Sequence, residues 1–244
     1  MAEEKRGLGT LLQESFSVFT DNITRLVVVT LIAYLPVGIA FSCYLVYLKG
    51  QSWQGLVGSF ILLIAITAIL FLLYPVALIR MIQSINAQEE LTPLASYQKA
   101  WGVIASYLWI GTIVLFKVIL WSLLFIIPGI IFGIFYSFWY LAFLIDNKRG
   151  NEALIYSKKI IKPNFWPYVG YSLVLVFIMV VVYLLIGFVV KLLFGVPVRG
   201  SFSLMPTIGS FFRSILEGIV SIYATIFCYK LYKELKSRLG IEIE

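Results

Sequence analysis

The chain has no histidine. That removes the commonest general base and the commonest metal ligand together. Cysteine is reduced to two residues, Cys43 and Cys228, both inside apolar runs. They read as packed or lipid-facing thiols rather than a disulfide framework. Charged residues make up only 13%, against about a quarter in a soluble domain. No polar stretch is long enough for a separate soluble domain. Nothing matches G-x-x-x-x-G-K-[ST], C-x-x-C or H-E-x-x-H, so phosphate-loop and zinc chemistry lack a frame. Ser157 has neither a histidine nor a G-x-S-x-G elbow around it, and reads as a small residue on a buried stripe. The N-terminal "MAEEKRGLGT" lacks the pattern of a cleavable leader. No catalytic residue, cofactor or metal site is expected.

What remains is hydrophobic: 61% of the chain. A membrane-spanning helix needs about 20 apolar residues. Such runs cover 24–48, 56–80, 104–145, 168–194 and 208–232. The third is long enough for two spans. "IIPGII" lies in its middle, and Pro128 with Gly129 predicts a turn there, giving spans at 104–126 and 129–145. The expectation is an all-α, polytopic integral membrane helical bundle with six transmembrane helices, a single membrane domain over 1–244.

Lys and Arg divide unevenly between the two sides. Lys5, Arg6, Arg25, Arg80, Lys99, Lys148, Arg149, Lys158, Lys159, Lys162, Lys230, Lys233, Lys236 and Arg238 fall on one side. Lys49, Lys191, Arg199 and Arg213 fall on the other, and Lys117 lies within a span. An even number of spans then puts both termini in the cytoplasm. Trp53, Trp101, Trp109, Trp166, Tyr168 and Tyr232 fall where interfacial aromatic belts belong. The net charge of +7 sits beside apolar runs, so its expected partner is the lipid bilayer with its anionic head groups, not nucleic acid. No protein partner is indicated.

Before span five, Asn151 and Glu152 suit a helix start. Ala153, Leu154, Ser157, Ile160 and Ile161 then make an apolar stripe, with Lys158, Lys159 and Lys162 behind it, until Pro163. Such a helix is expected to lie in the interface plane. The design recurs near the start. Thr10 and Gln13 form a capping-box pattern, Leu11, Leu12, Ser15, Phe16 and Phe19 a stripe, and Asn22 aligns with Asn164. A third copy begins at Thr92–Pro93, with Leu94, Tyr97 and Trp101 as its stripe. The reading is three units, about 10–85, 92–146 and 151–236, each a short interfacial helix followed by a two-span hairpin.

The stretch "IPGIIFGIFYSFWYLAFLIDNKRGNEALIYSKKIIKPNFW" resembles the membrane domain attached to some glycerophosphodiester phosphodiesterases, and free-standing prokaryotic membrane proteins of unknown function. Pro128, Gly129, Ala153, Leu154, Ser157, Asn164, Phe165 and Trp166 carry the resemblance. It implies the membrane fold in a prokaryotic plasma membrane. It does not imply hydrolysis, because the phosphodiesterase barrel, with its acidic and histidine residues, has no counterpart here.

Three polar groups fall at membrane depth: Lys117, Arg213 and Glu217. Arg213 lies one turn from Glu217. Lys117 has no acid within four positions, so its expected partner is Glu217 across the bundle, in a structural pair rather than a transport path. Gly129 and Gly133 form one GxxxG, read as hairpin packing. Lys148, Arg149, Lys158, Lys159 and Lys162 are the candidate contacts to anionic lipid. The function expected is non-enzymatic: a structural, accessory or lipid-interacting membrane module, with a small transporter or channel-like protein as the alternative.

In a cysteine-free background, a cysteine placed near Ser201 should react with an impermeant maleimide on intact cells, and one at Gly150 should not. Labelling at Gly150 from outside would reverse the orientation.

Overall fold

The computed structural model describes residues 6–47, 53–195 and 204–240. Lys5, Lys49, Arg199 and Ser201 lie outside these, as do the side chains of Cys43 and Trp53. Among the described residues there is no strand. The helices are α1 (Leu8–Asp21), α2 (Ile23–Tyr47), α3 (Trp53–Asn86), α4 (Pro93–Trp101), α5 (Ile104–Leu124), α6 (Ile126–Tyr136), α7 (Trp139–Asp146), α8 (Asn151–Ile161), α9 (Phe165–Phe194) and α10 (Leu204–Ser237). Five stretches are long and apolar enough to cross a membrane: Ala65–Asn86, Ile104–Leu123, Ile126–Asp146, Phe165–Phe194 and Ile208–Ser237. Leu8–Asp21 and Ile23–Pro36, a pair bent by 77°, make a sixth when the two are counted as one broken span. The chain is an all-α helical membrane bundle.

Short helices α1, α4 and α8 each precede a long one, and the joints share a geometry. A fully buried serine sits in each short helix: Ser15, Ser96 and Ser157. Seven residues later comes the joint, at Asn22, Val103 or Asn164, and the next residue starts α2, α5 or α9. The joint dihedrals nearly coincide, with φ/ψ of −121/19, −120/−1 and −106/23. This is the sparsely populated bridge region, where a helix can turn without leaving backbone groups stranded. In each case the joint carbonyl accepts the N–H four residues on, at Leu26, Tyr107 and Tyr168. The Asn22 and Asn164 side-chain amides also donate back to the carbonyls of Val18 and Ile160, at 3.2 and 3.1 Å.

Each long helix returns in a hairpin: α2 with α3, α5 with α6 and α7, α9 with α10. The short helices then pack one unit back. Helix α4 lies on α3, α8 on α6 and α7, and α1 on α10, so the cycle closes through the two ends of the chain. Helix α10 also crosses α2 closely. A Cβ on Gly218 would stand 2.9 Å from the Tyr34 ring and 3.0 Å from a Thr30 methyl, so only glycine fits that crossing.

Two sequence expectations need correction. The turn inside 104–145 is not at Pro128–Gly129. It is at Phe125, in extended conformation with φ −157 and ψ 140. Pro128 is the third residue of α6, where no intrahelical N–H is needed. Gly129 lies against Ser122 of α5, too close for any side chain (2.8 Å from an added Cβ to the Ser122 Cα), while Gly133 meets nothing within 4 Å. The stripe of α4 is also different. Leu94 and Trp101 are exposed, and the buried face is Ser96, Tyr97 and Ala100. The Tyr97 hydroxyl donates to the Val29 carbonyl at 2.8 Å, and burial pushes its pKa well above the usual tyrosine value, so it stays a donor.

Burial is uneven along the bundle. The end that holds the short helices is dense, with Leu78, Ile79, Ile82, Phe138, Leu141, Phe227 and Tyr232 almost wholly buried. Away from it α5 and α9 leave Leu115, Phe116, Leu123, Phe177, Leu184 and Phe188 exposed, as lipid-facing surfaces do.

Gly218→Ala should lower stability by about 1–3 kcal/mol, the usual cost of overpacking. Gly133→Ala, in open space, should stay within about 1 kcal/mol of the parent. Thermal unfolding in one detergent checks the pair; equal effects would show that the α2–α10 crossing is not tight.

Candidate functional site

The surface where α5, α6 and α8 meet holds most of the site residues expected from sequence. Asn147 (φ 52) and Gly150 (φ 53) reverse the chain after α7. Gly150 combines that φ with ψ −129, which only glycine adopts readily. Helix α8 then buries Ala153, Leu154, Ser157, Ile160 and Ile161. Ser157 is the centre of this contact. Its hydroxyl donates to the Phe135 carbonyl at 2.7 Å and accepts the Phe138 N–H at 3.1 Å. It thereby satisfies two backbone groups at the break between α6 and α7. Its role is to fasten a broken span.

Helix α8 presents its cations in two ways. Lys159 and Lys162 are exposed, as is Arg149 before the helix. Lys148 sits over the Tyr156 ring at 5.5 Å. Lys158 does not point away from the apolar stripe. It is half-buried, with its ammonium 5.1 and 5.7 Å from the rings of Phe132 and Phe135, a cation–π geometry. Phe132 stacks in turn on Trp121, centroids 4.3 Å apart. Phe165 packs edge-on against Phe135, and Trp166 is exposed at the start of α9.

The expected pairing of Lys117 with Glu217 is not formed. Lys117 donates to the Asn151 side chain of α8 at 2.5 Å. Glu217 pairs with Arg213 on its own helix at 2.6 Å. Each charge has a nearer partner than the one expected: Lys117 on α8, and Glu217 on its own helix. Tyr34 and Tyr183 lie within electrostatic reach of Glu217. Deeper in the same region the Tyr74 hydroxyl shares hydrogen bonds with Thr30 and Ser221, both at 3.2 Å.

Sequence reasoning missed the charged cluster at the dense end. Asp146, the last residue of α7, receives hydrogen bonds from Tyr232 and Lys236 of α10. The Lys236 and Asp146 side chains are only 3% and 10% exposed. Glu14 of α1 pairs with Lys230 at 3.0 Å and Arg6 at 3.1 Å. Glu234 accepts the Arg6 N–H at 3.2 Å and pairs with Arg238 at 2.8 Å. At Arg238 burial opposes the charge, but hydrogen bonds to Glu234 and Tyr171 hold its pKa above the ordinary value. The available signal was the apolar pattern Ile222, Ile226, Tyr229, which runs on through Tyr232, the expected end of span six, to Leu235.

Among the described residues no group of three or more His, Cys, Asp or Glu side chains is placed to hold a metal. No family model matches the chain, and neither a curated protein nor a solved structure matches it.

Asp146→Asn keeps the shape but leaves Lys236 buried without a counter-charge. It should cost about 3–5 kcal/mol, and Asp146→Leu with Lys236→Met should recover much of that. Unfolding of the single and double variants measures it; a double variant no better than the single removes the pair from the stability of this end.

Proposed function

We propose that this chain is a non-catalytic, multi-pass protein of a prokaryotic plasma membrane that contacts and organises lipid. The observation that carries the reading is the boundary between the two halves of the bundle. On one side lies a dense, polar-latched end. On the other lie hairpins whose large apolar side chains are exposed. Cations without carboxylate partners stand where the two meet. Lys158 and Lys117 have no ion pair among the described residues, and Lys159, Lys162 and Arg149 are exposed around them. Such charges beside apolar surface suit the head groups of an anionic leaflet, each contributing roughly 1 kcal/mol. The charge asymmetry supports a cytoplasmic position for the dense end. The Arg6–Glu234 contact supports a shared side for both termini. The resemblance over 127–166 favours the same reading.

A second reading rests on a different observation. Tyr34, Tyr74, Thr30 and Ser221 place polar groups between α2, α3 and α10, and the Arg213–Glu217 pair of α10 lies beside them towards Gly187 and Tyr183 of α9. A small transporter needs such a path.

Lipid analysis of protein purified in mild detergent tests the first reading. Anionic phospholipid should be enriched over the bulk membrane. Retained lipid that mirrors the bulk, together with a solute flux in liposomes that Glu217→Gln abolishes, would replace it with the second.

A further inference from the structure

We propose that α5, α6 and α8 together form a binding site for the phosphate of one anionic phospholipid, held between Lys117 and Lys158. The proposal rests on the lipid reading above and gives it a place.

Asn151 and Lys158 are seven residues apart on α8, so they share a face, about 10 Å apart along the axis. Lys117 comes to that face from another helix. Its ammonium is held by the Asn151 side chain at 2.5 Å, so two ammonium groups from distant parts of the sequence border one surface. Between them lies an aromatic floor. Trp121, one turn beyond Lys117, stacks on Phe132, and Lys158 sits over Phe132 and Phe135. Neither lysine has a carboxylate partner among the described residues. Asp146, at the end of α7, is taken up by Lys236 and Tyr232. Glu152, the only acid on α8, makes no ion pair among the described residues. Two uncompensated cations beside exposed apolar surface are costly, and an anion that brings its own acyl chains relieves that cost. Phe116, Leu120 and Ile131, exposed on α5 and α6, supply the apolar wall for those chains. A zwitterionic lipid carries its own ammonium and complements two lysines less well. Free phosphate gains nothing from the aromatic floor or the apolar wall.

The test uses the full chain in nanodiscs of phosphatidylcholine with a minor fraction of phosphatidylglycerol, read by native mass spectrometry. Lys117→Gln and Lys158→Gln should each weaken phosphatidylglycerol retention about fivefold, and together about 25-fold, at roughly one charge each. Arginine at both positions should keep most of it. In the unsubstituted protein, a photoactivatable phosphatidylglycerol should label 116–135 or 151–158; this arm holds even where a glutamine variant fails to fold. Selective retention that survives the double substitution, or labelling confined to another surface, removes this site and leaves the lipid reading standing. Displacement by millimolar inorganic phosphate makes the site one for a soluble anion and overturns the proposal. Equal retention of both lipids by the unsubstituted protein removes the lipid reading itself.

Discussion

Every part of the bundle depends on how the backbone turns at Asn22, Val103 and Asn164. A chain next to hydrocarbon cannot leave N–H and C=O groups unpaired, and an open loop there would do so. The bridge conformation solves this by changing direction within one residue while the joint carbonyl goes on accepting an N–H from the following helix. Asparagine at two joints adds a side-chain donor to the preceding helix. Valine at the third cannot; its own N–H reaches the Ala100 carbonyl, as that of Asn164 reaches Ile161. The buried serine seven residues upstream belongs to the same device. A small side chain lets the short helix approach its neighbour closely, and its hydroxyl is satisfied locally or, at Ser157, by the broken span it fastens.

The joints set direction, and the polar latches at the dense end set which helices meet. Asp146 ties α7 to α10. Glu14 ties α1 to α10, and Arg80 and Gln83 of α3 both donate to the Leu144 carbonyl of α7. Buried pairs of this kind add little to stability over well-packed apolar residues, but removing one member is severe. Their strength therefore lies in excluding wrong pairings among helices whose surfaces are otherwise uniformly greasy.

This greasiness explains what could be read beforehand. The helical membrane class, the joints at Asn22 and Asn164 and the buried stripe of α8 were legible because a periodic stripe and a following apolar run coincide there; the expected caps were not, since Thr10 lies inside α1 and Gly150, not Asn151, precedes α8. The stripe of α4 was not. In water a leucine or tryptophan at helical spacing marks the inside, whereas next to a bilayer Leu94 and Trp101 are content outside, and Ser96 and Ala100 mark the close contact. The Phe125 turn was hidden because Pro-Gly is a strong local signal and a lone extended phenylalanine is none. Lys117 was assigned the wrong partner because hydropathy reports depth and is silent on azimuth, and because the partner, Asn151, carries no charge. The lysine of α8 nearest the aromatic rings looked like its solvated neighbours for the same reason.

The backward packing of the short helices also imposes an order of synthesis. Helix α4 meets an α3 that has already been made, and α8 meets a finished α6 and α7. Helix α1 alone must wait for α10, at the other end of the chain. Until α10 has been made, Leu11 has no neighbour from it to cover it, and Glu14 has no Lys230 to face. The first of these helices to emerge from the ribosome is thus the last to be seated. A chain cut short before α10 would keep an uncovered amphipathic helix at its start, a ready mark by which quality-control proteases could tell the incomplete protein from the complete one.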